Sequence, residues 1–106
     1  MAELKQRICA YLTMTFHFSD AQIEQMLPGF FDTLRSHLAA LEQAIAENAA
    51  QTAKAAHTMK GALLNLGLEA EAAIALELEE RGNVGTFDTA SLTLLAKRLR
   101  EKLTGL

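Results

Sequence analysis

The sequence predicts an all-α protein: an up-down antiparallel four-helix bundle with an additional short N-terminal helix. Three observations lead there. The chain holds 19 Ala and 18 Leu against 4 Ile and 1 Val, so strong helix formers far outnumber β-branched residues. A single Pro falls within its 106 residues. Apolar side chains recur every three or four positions along successive segments, the period of a helix with one buried face. A chain of this length buries roughly two-thirds of the surface its unfolded form exposes, which suffices for one core. One domain over residues 1–106 is therefore expected, with the N-terminal helix at 3–15 and the bundle at 19–104.

Leu4, Ile8, Tyr11 and Leu12 have helical spacing and predict the first helix, ending at the Phe16-His17-Phe18 corner. Ser19 stands as the N-cap of a second helix, with Asp20 and Glu24 in its first turns. The stripe Ile23, Leu27, Phe30, Leu34, Leu38, Leu41 and Ile45 continues without a phase slip, so Pro28 predicts a kink in one long helix rather than a new start. Asn48 caps the third helix, with Gln51 as capping-box partner, and Ala56, Met59, Leu63 and Leu66 point inward. Gly67 should close that helix in a left-handed conformation, with Leu68 folding back on the last turn. A fourth helix is predicted from Glu69 to Arg81, apolar at Ile74, Leu76 and Leu78 and stopped by Gly82-Asn83, before a loop through Val84, Gly85 and Thr86. Asp88 caps the last helix, Phe87 and Leu92 are spaced as a hydrophobic staple, and Leu92, Leu95, Leu99 and Leu103 form its seam. Short links make sequential helices antiparallel neighbours.

The composition also excludes functions. Lys and Arg number 10 against 13 Asp and Glu, a formal net charge of −3, which argues against a nucleic-acid binder because phosphate neutralisation needs a basic surface. Cys9 is the single cysteine, so no internal disulfide forms; it is expected to pack as a small apolar residue in a reducing, cytoplasmic setting. Residues 1–8 lack the apolar run of a signal peptide or membrane span. His17, His37 and His57 lie twenty residues apart, which is no metal-ligand spacing. The basic cluster Lys97, Arg98, Arg100 and Lys102 complements the dipole of the last helix and faces water, and the acidic run Glu77, Glu79 and Glu80 reads as a solvated face.

The most informative string is Ala56-His57-Thr58-Met59-Lys60-Gly61-Ala62-Leu63-Leu64-Asn65-Leu66-Gly67-Leu68. On a helix, His57, Lys60, Gly61 and Leu64 share one face, opposite the inward stripe. An exposed imidazole keeps a nucleophilic ring nitrogen available, and a lysine one turn away can offset the charge of an incoming anion. Gly61 costs about 1 kcal/mol relative to alanine inside a helix, in a chain that uses alanine freely. Its missing side chain opens space beside His57 for a partner to close over, and Leu64 extends the face with an apolar docking contact.

This string resembles the motif of the histidine-containing phosphotransfer (HPt) domain family: a histidine, an apolar residue two on, lysine three on, glycine four on and a further glycine about ten on. His57, Met59, Lys60, Gly61 and Gly67 match in order, Asn48 stands where the family has a polar cap, and Leu78-Glu79 matches a Leu-Glu pair of the next helix. The resemblance covers most of Asp20 to Leu103. It departs at Glu71, at a usually apolar position, and at Leu64 and Asn65, where small residues are common; these departures bear on partner choice.

The resemblance implies a carrier in a multistep phosphorelay. His57, through Nε2, would accept a phosphoryl group from the aspartate of a response-regulator receiver domain, including one carried by a hybrid histidine kinase, and pass it to another receiver. Lys60 would assist electrostatically, Gly61 give access and Leu64 contact the partner. The chain would be a phosphoryl carrier, not an enzyme: it needs no cofactor of its own, with Mg²⁺ on the receiver, and it lacks glycine-rich phosphate loops and carboxylate clusters suited to a metal. A monomeric, standalone, cytoplasmic protein with no nucleic-acid or membrane partner is expected. Two alternatives share these residues: a helical adaptor that docks response regulators without chemistry, and the phosphoaccepting module of a larger histidine kinase. The residues do not specify donor, acceptor or direction of flux.

Overall fold

The computed structural model describes residues 2–84 and 88–104. They form five helices, α1 (Ala2–Phe16), α2 (Asp20–Glu47), α3 (Ala49–Leu64), α4 (Glu69–Asn83) and α5 (Thr89–Lys102), and no strand occurs among the described residues. Helices α2 and α3, α3 and α4, α4 and α5, and α5 and α2 lie side by side, closing a ring around one core, and α1 rests against α2. The 28 residues of α2 span about 42 Å at the helical rise and account for the 45 Å long axis of the molecule.

The predicted stripes make the core. Leu34, Leu41, Met59, Leu63, Leu78, Leu92 and Leu99 are buried completely or nearly so, each removing enough apolar surface to favour folding by about 1.5–3 kcal/mol. Leu4, Ile8 and Leu12 bring one face of α1 into the same cluster. Leu76 departs from prediction: it is 41 % exposed while Ile74 and Leu78 are buried. Two residues correspond to about 200° around a helix, so a side chain between an inward i, i+4 pair must face out.

The helix ends explain the corners. α2 opens with a full capping box: Ser19 Oγ accepts from the Gln22 amide at 3.2 Å, and the Ser19 amide donates to Gln22 Oε1 at 2.9 Å. Ser19 is thus the predicted cap, with Asp20 in the first turn as expected, and Gln22 completes the box, a partner the sequence reading did not name. At α3 only half the expected box forms, Asn48 Oδ1 accepting from the Gln51 amide at 2.8 Å. α2 runs as one helix through Pro28, which excludes a new start there. Asp88 caps α5 through the Ala90 and Ser91 amides. Phe87, Gly85 and Thr86, and with them the proposed staple, lie outside the described residues.

Two corners set how the helices meet. Regular α3 bonding stops at Leu64, and the Leu68 amide then donates to the Leu63 carbonyl while the Gly67 amide donates to that of Leu64, with Gly67 at φ +73°. This is the Schellman closure anticipated for Gly67. His17 closes α1 at the predicted corner, in the same left-handed region at φ 58°, its amide donating to the Thr13 carbonyl at 3.0 Å, a conformation the sequence reading did not foresee. Gly82 does not stop α4 as predicted. It is buried inside the helix, and a Cβ there would stand 2.9 Å from the Ala49 carbonyl oxygen and the Ala53 nitrogen, so its absence lets α4 approach α3 closely.

Candidate functional site

The buried stripe of α3 turns the opposite face outward. Ala56, Met59 and Leu63 are locked in the core, so His57, Gly61 and Leu64, at i, i+4 and i+7, are left on the accessible side. The His57 imidazole is 68 % exposed. Nothing lies within 4 Å of where a Gly61 Cβ would be, and Leu64 is a large exposed apolar residue one turn beyond.

Glu79 holds this face to α4. One of its carboxylate oxygens, Oε2, lies 2.8 Å from His57 Nδ1, and the other, Oε1, accepts from Lys60 Nζ at 2.7 Å. Glu79 is only 17 % exposed, so it is not the solvated residue expected from the run of glutamates. It follows Leu78, whose burial in the core orients the next residue toward α3. Leu78-Glu79 was the signal available in the sequence, yet only the α3–α4 packing gives the pair its partner. Lys60 is correspondingly committed: its ammonium points to Glu79 rather than standing free beside His57.

The electrostatics assign the tautomer of His57. The Lys60 hydrogen bond holds the Glu79 carboxyl below the usual carboxylate range; partial desolvation works against this, and the His57 hydrogen bond adds to it. An ionised carboxylate only accepts, so the proton between the two residues resides on Nδ1, which donates to Glu79. The lone pair of the neutral ring then lies on Nε2, which has no hydrogen-bond partner among the described residues. Such a nitrogen can act as a nucleophile, while the carboxylate behind the ring fixes its orientation and stabilises positive charge that develops on it.

Beyond His57 an open groove of about 540 Å³ runs between α3 and α2, lined on one side by His57, Thr58 and Gly61 and on the other by Phe30, Thr33 and His37. Elsewhere, the departure at Glu71 has a structural account. Its side chain is 3 % exposed and receives both guanidinium nitrogens of Arg7, at 2.7 and 2.8 Å, which ties α1 to α4. Arg100 of the basic cluster is bound to Glu42 of α2 at 2.8 and 2.5 Å, whereas Lys97, Arg98 and Lys102 face water as expected. Among the described residues no group of three or more His, Cys, Asp or Glu is placed to hold a metal ion, and no helix is long and apolar enough to cross a membrane.

Comparison with known proteins adds one match. The model of the family described as Hpt domain matches residues 25–105, which leaves α1 and the first turn of α2 outside. No curated protein and no solved structure matched the chain.

Proposed function

The chain belongs to the Hpt domain family, whose members are phosphocarrier modules of phosphorelays, and we propose that His57 is the phosphoryl acceptor of a carrier that works between two receiver domains. The observation that carries this reading is the Glu79 carboxylate on Nδ1, which leaves Nε2 as the nucleophilic nitrogen on an exposed face. The Nε2 lone pair attacks the phosphorus of a receiver aspartyl phosphate. A nitrogen–phosphorus bond forms as the acyl phosphate P–O bond breaks, and the aspartate leaves as carboxylate. The Nδ1 proton stays in place, so the ring carries positive charge that Glu79 balances. Attack by the aspartate of a second receiver reverses these steps and restores the neutral imidazole.

Lys60 keeps Glu79 ionised and contributes its charge from that position, Gly61 leaves room for the receiver's active site, and Leu64 provides an apolar contact at the edge of the interface. We assign no cofactor to the chain, with Mg²⁺ taken up by the receiver, and we read it as a monomeric cytoplasmic protein. The ring of α2 to α5 is taken as the up-down antiparallel bundle that short links favour, with Asn48 alone between α2 and α3.

Incubation with receivers carrying labelled phosphate tests the reading. Label should appear on the chain in acid-labile, alkali-stable form and be absent from His57→Ala. Label on that variant would overturn the assignment, as would failure of every receiver of the source organism to label the wild-type chain.

A further inference from the structure

We propose that His37 of α2 is a second phosphoryl-contacting residue, its ring N–H holding an oxygen of the phosphoryl group once that group is on His57. This rests on His57 as the acceptor and adds a contact from the neighbouring helix. Three observations converge on it. First, Nδ1 is tied to Glu79 on α4, so Nε2, on the far side of the ring, is directed away from α4; α2 flanks α3 and does not lie side by side with α4. Second, His37 and His57 line the same groove, which Gly61 lines without a side chain and to which Thr33 adds a hydroxyl, that of Thr58 being spent on the Lys54 carbonyl. Third, His37 is half-buried and takes part in no hydrogen bond or ion pair among the described residues, although an imidazole in either tautomer has one N–H to donate.

The charge balance at His57 favours such a contact. Lys60, the nearest cation on α3 by sequence register, is held by Glu79, and that pair together is neutral. A phosphoryl group adds about two negative charges next to the Glu79 carboxylate. Donors from the groove side offset this without breaking the Lys60–Glu79 bond. The groove continues past His37 along Ala40 and Ala44 of α2 and Lys54 of α3, with Glu47 the acidic residue on that stretch.

The contact should lengthen the life of the phosphorylated protein. Departure of the phosphoryl group through a loose transition state draws electron density from its peripheral oxygens, and a donor held on one of them resists this. The test uses phosphoramidate as a small-molecule donor: its P–N bond breaks, ammonia leaves and the bond to Nε2 forms. In the wild-type chain the ring ¹H–¹⁵N signal of His37 should shift on phosphorylation, and it should not shift in His57→Gln treated identically. Label should be lost from His37→Ala about fivefold faster than from wild type, the factor supplied by one hydrogen bond of ~1 kcal/mol. His37→Gln, whose amide also donates, should restore most of the lifetime.

An unmoved His37 signal overturns the inference whatever the variants do, as does loss of label from His37→Ala at the wild-type rate. Accelerated loss that His37→Gln fails to correct assigns His37 a packing role and overturns it too. If His57 takes label from neither phosphoramidate nor any receiver, the proposed function fails with it; if His57 takes label normally and only the His37 results are negative, the carrier reading stands alone.

Discussion

The carboxylate of Glu79 stands between His57 and Lys60, 2.8 Å from the Nδ1 of one and 2.7 Å from the Nζ of the other, so one residue of α4 organises two residues of α3. Removing it leaves the imidazole free to rotate and to choose its tautomer. Glu79→Ala should slow phosphoryl transfer from a receiver by about tenfold to a hundredfold, the usual effect of losing the partner that orients a functional histidine. Initial rates of labelling measure it, with the helical circular dichroism spectrum unchanged; a wild-type rate would show that Glu79 does not position His57.

Alanine should act in opposite directions at two helical glycines. Gly61→Ala meets open space and gains helix propensity, so it should raise stability by about 0.5–1 kcal/mol. Gly82→Ala would push a Cβ against the α3 backbone at 2.9 Å and should lower stability by about 1–3 kcal/mol despite the same propensity gain. Urea unfolding of both variants decides. Gly61→Phe should then separate stability from function: a folded protein whose labelling by a receiver is slowed at least about tenfold, as expected when a nucleophile is kept about 1 Å or more from its target.

Gly67 carries two constraints at once. Its φ of +73° disfavours any side chain, and a Cβ would fall 2.3 Å from Cγ of Tyr11, whose ring lies over the α3–α4 corner. Gly67→Ala should therefore destabilise by about 2–4 kcal/mol, combining backbone strain and overpacking. In a double-mutant cycle Tyr11→Ala should relieve the steric part and leave the backbone part. Simple addition of the two effects would show that α1 does not rest on Gly67.

The Arg7–Glu71 pair makes the stability pH-dependent. Burial pushes the Glu71 carboxyl up, but its hydrogen bonds to Arg7 and its own backbone, with the charges of Arg7 and Lys102, outweigh this and hold it below the usual range. A carboxylate with a depressed folded-state pKa stabilises at pH values above its unfolded value, about 4.3, and that stabilisation is lost as pH falls through the folded value. Arg7→Met leaves Glu71 buried and unpaired and should lower stability by about 2–4 kcal/mol at pH 7. The deficit should shrink as pH falls and be smallest below the depressed folded-state value of Glu71, where the carboxyl is neutral in both proteins. Arg7→Met with Glu71→Leu should recover most of the loss; chemical unfolding at the two pH values tests all three expectations.

Local pattern decided much of this protein. The apolar period placed five helices to within a few residues, and the packing of α3 made His57, Gly61 and Leu64 an exposed face because Ala56, Met59 and Leu63 occupy the opposite, buried side. The closure at Gly67 was legible because its conformational requirement is local to one turn. The string from His57 to Gly67 also carried the family, which the match over residues 25–105 bears out. The rest depended on which helices meet. Glu79 looked like one surface glutamate among three until α4 lay against α3, Gly82 looked like a stop signal until it proved to be a point of close approach, and Glu71 looked misplaced until Arg7 arrived from sixty-four residues away. Helical periodicity reports which way a side chain points along its own axis; it holds no information about the residue that waits there, because that partner is set by packing between distant segments.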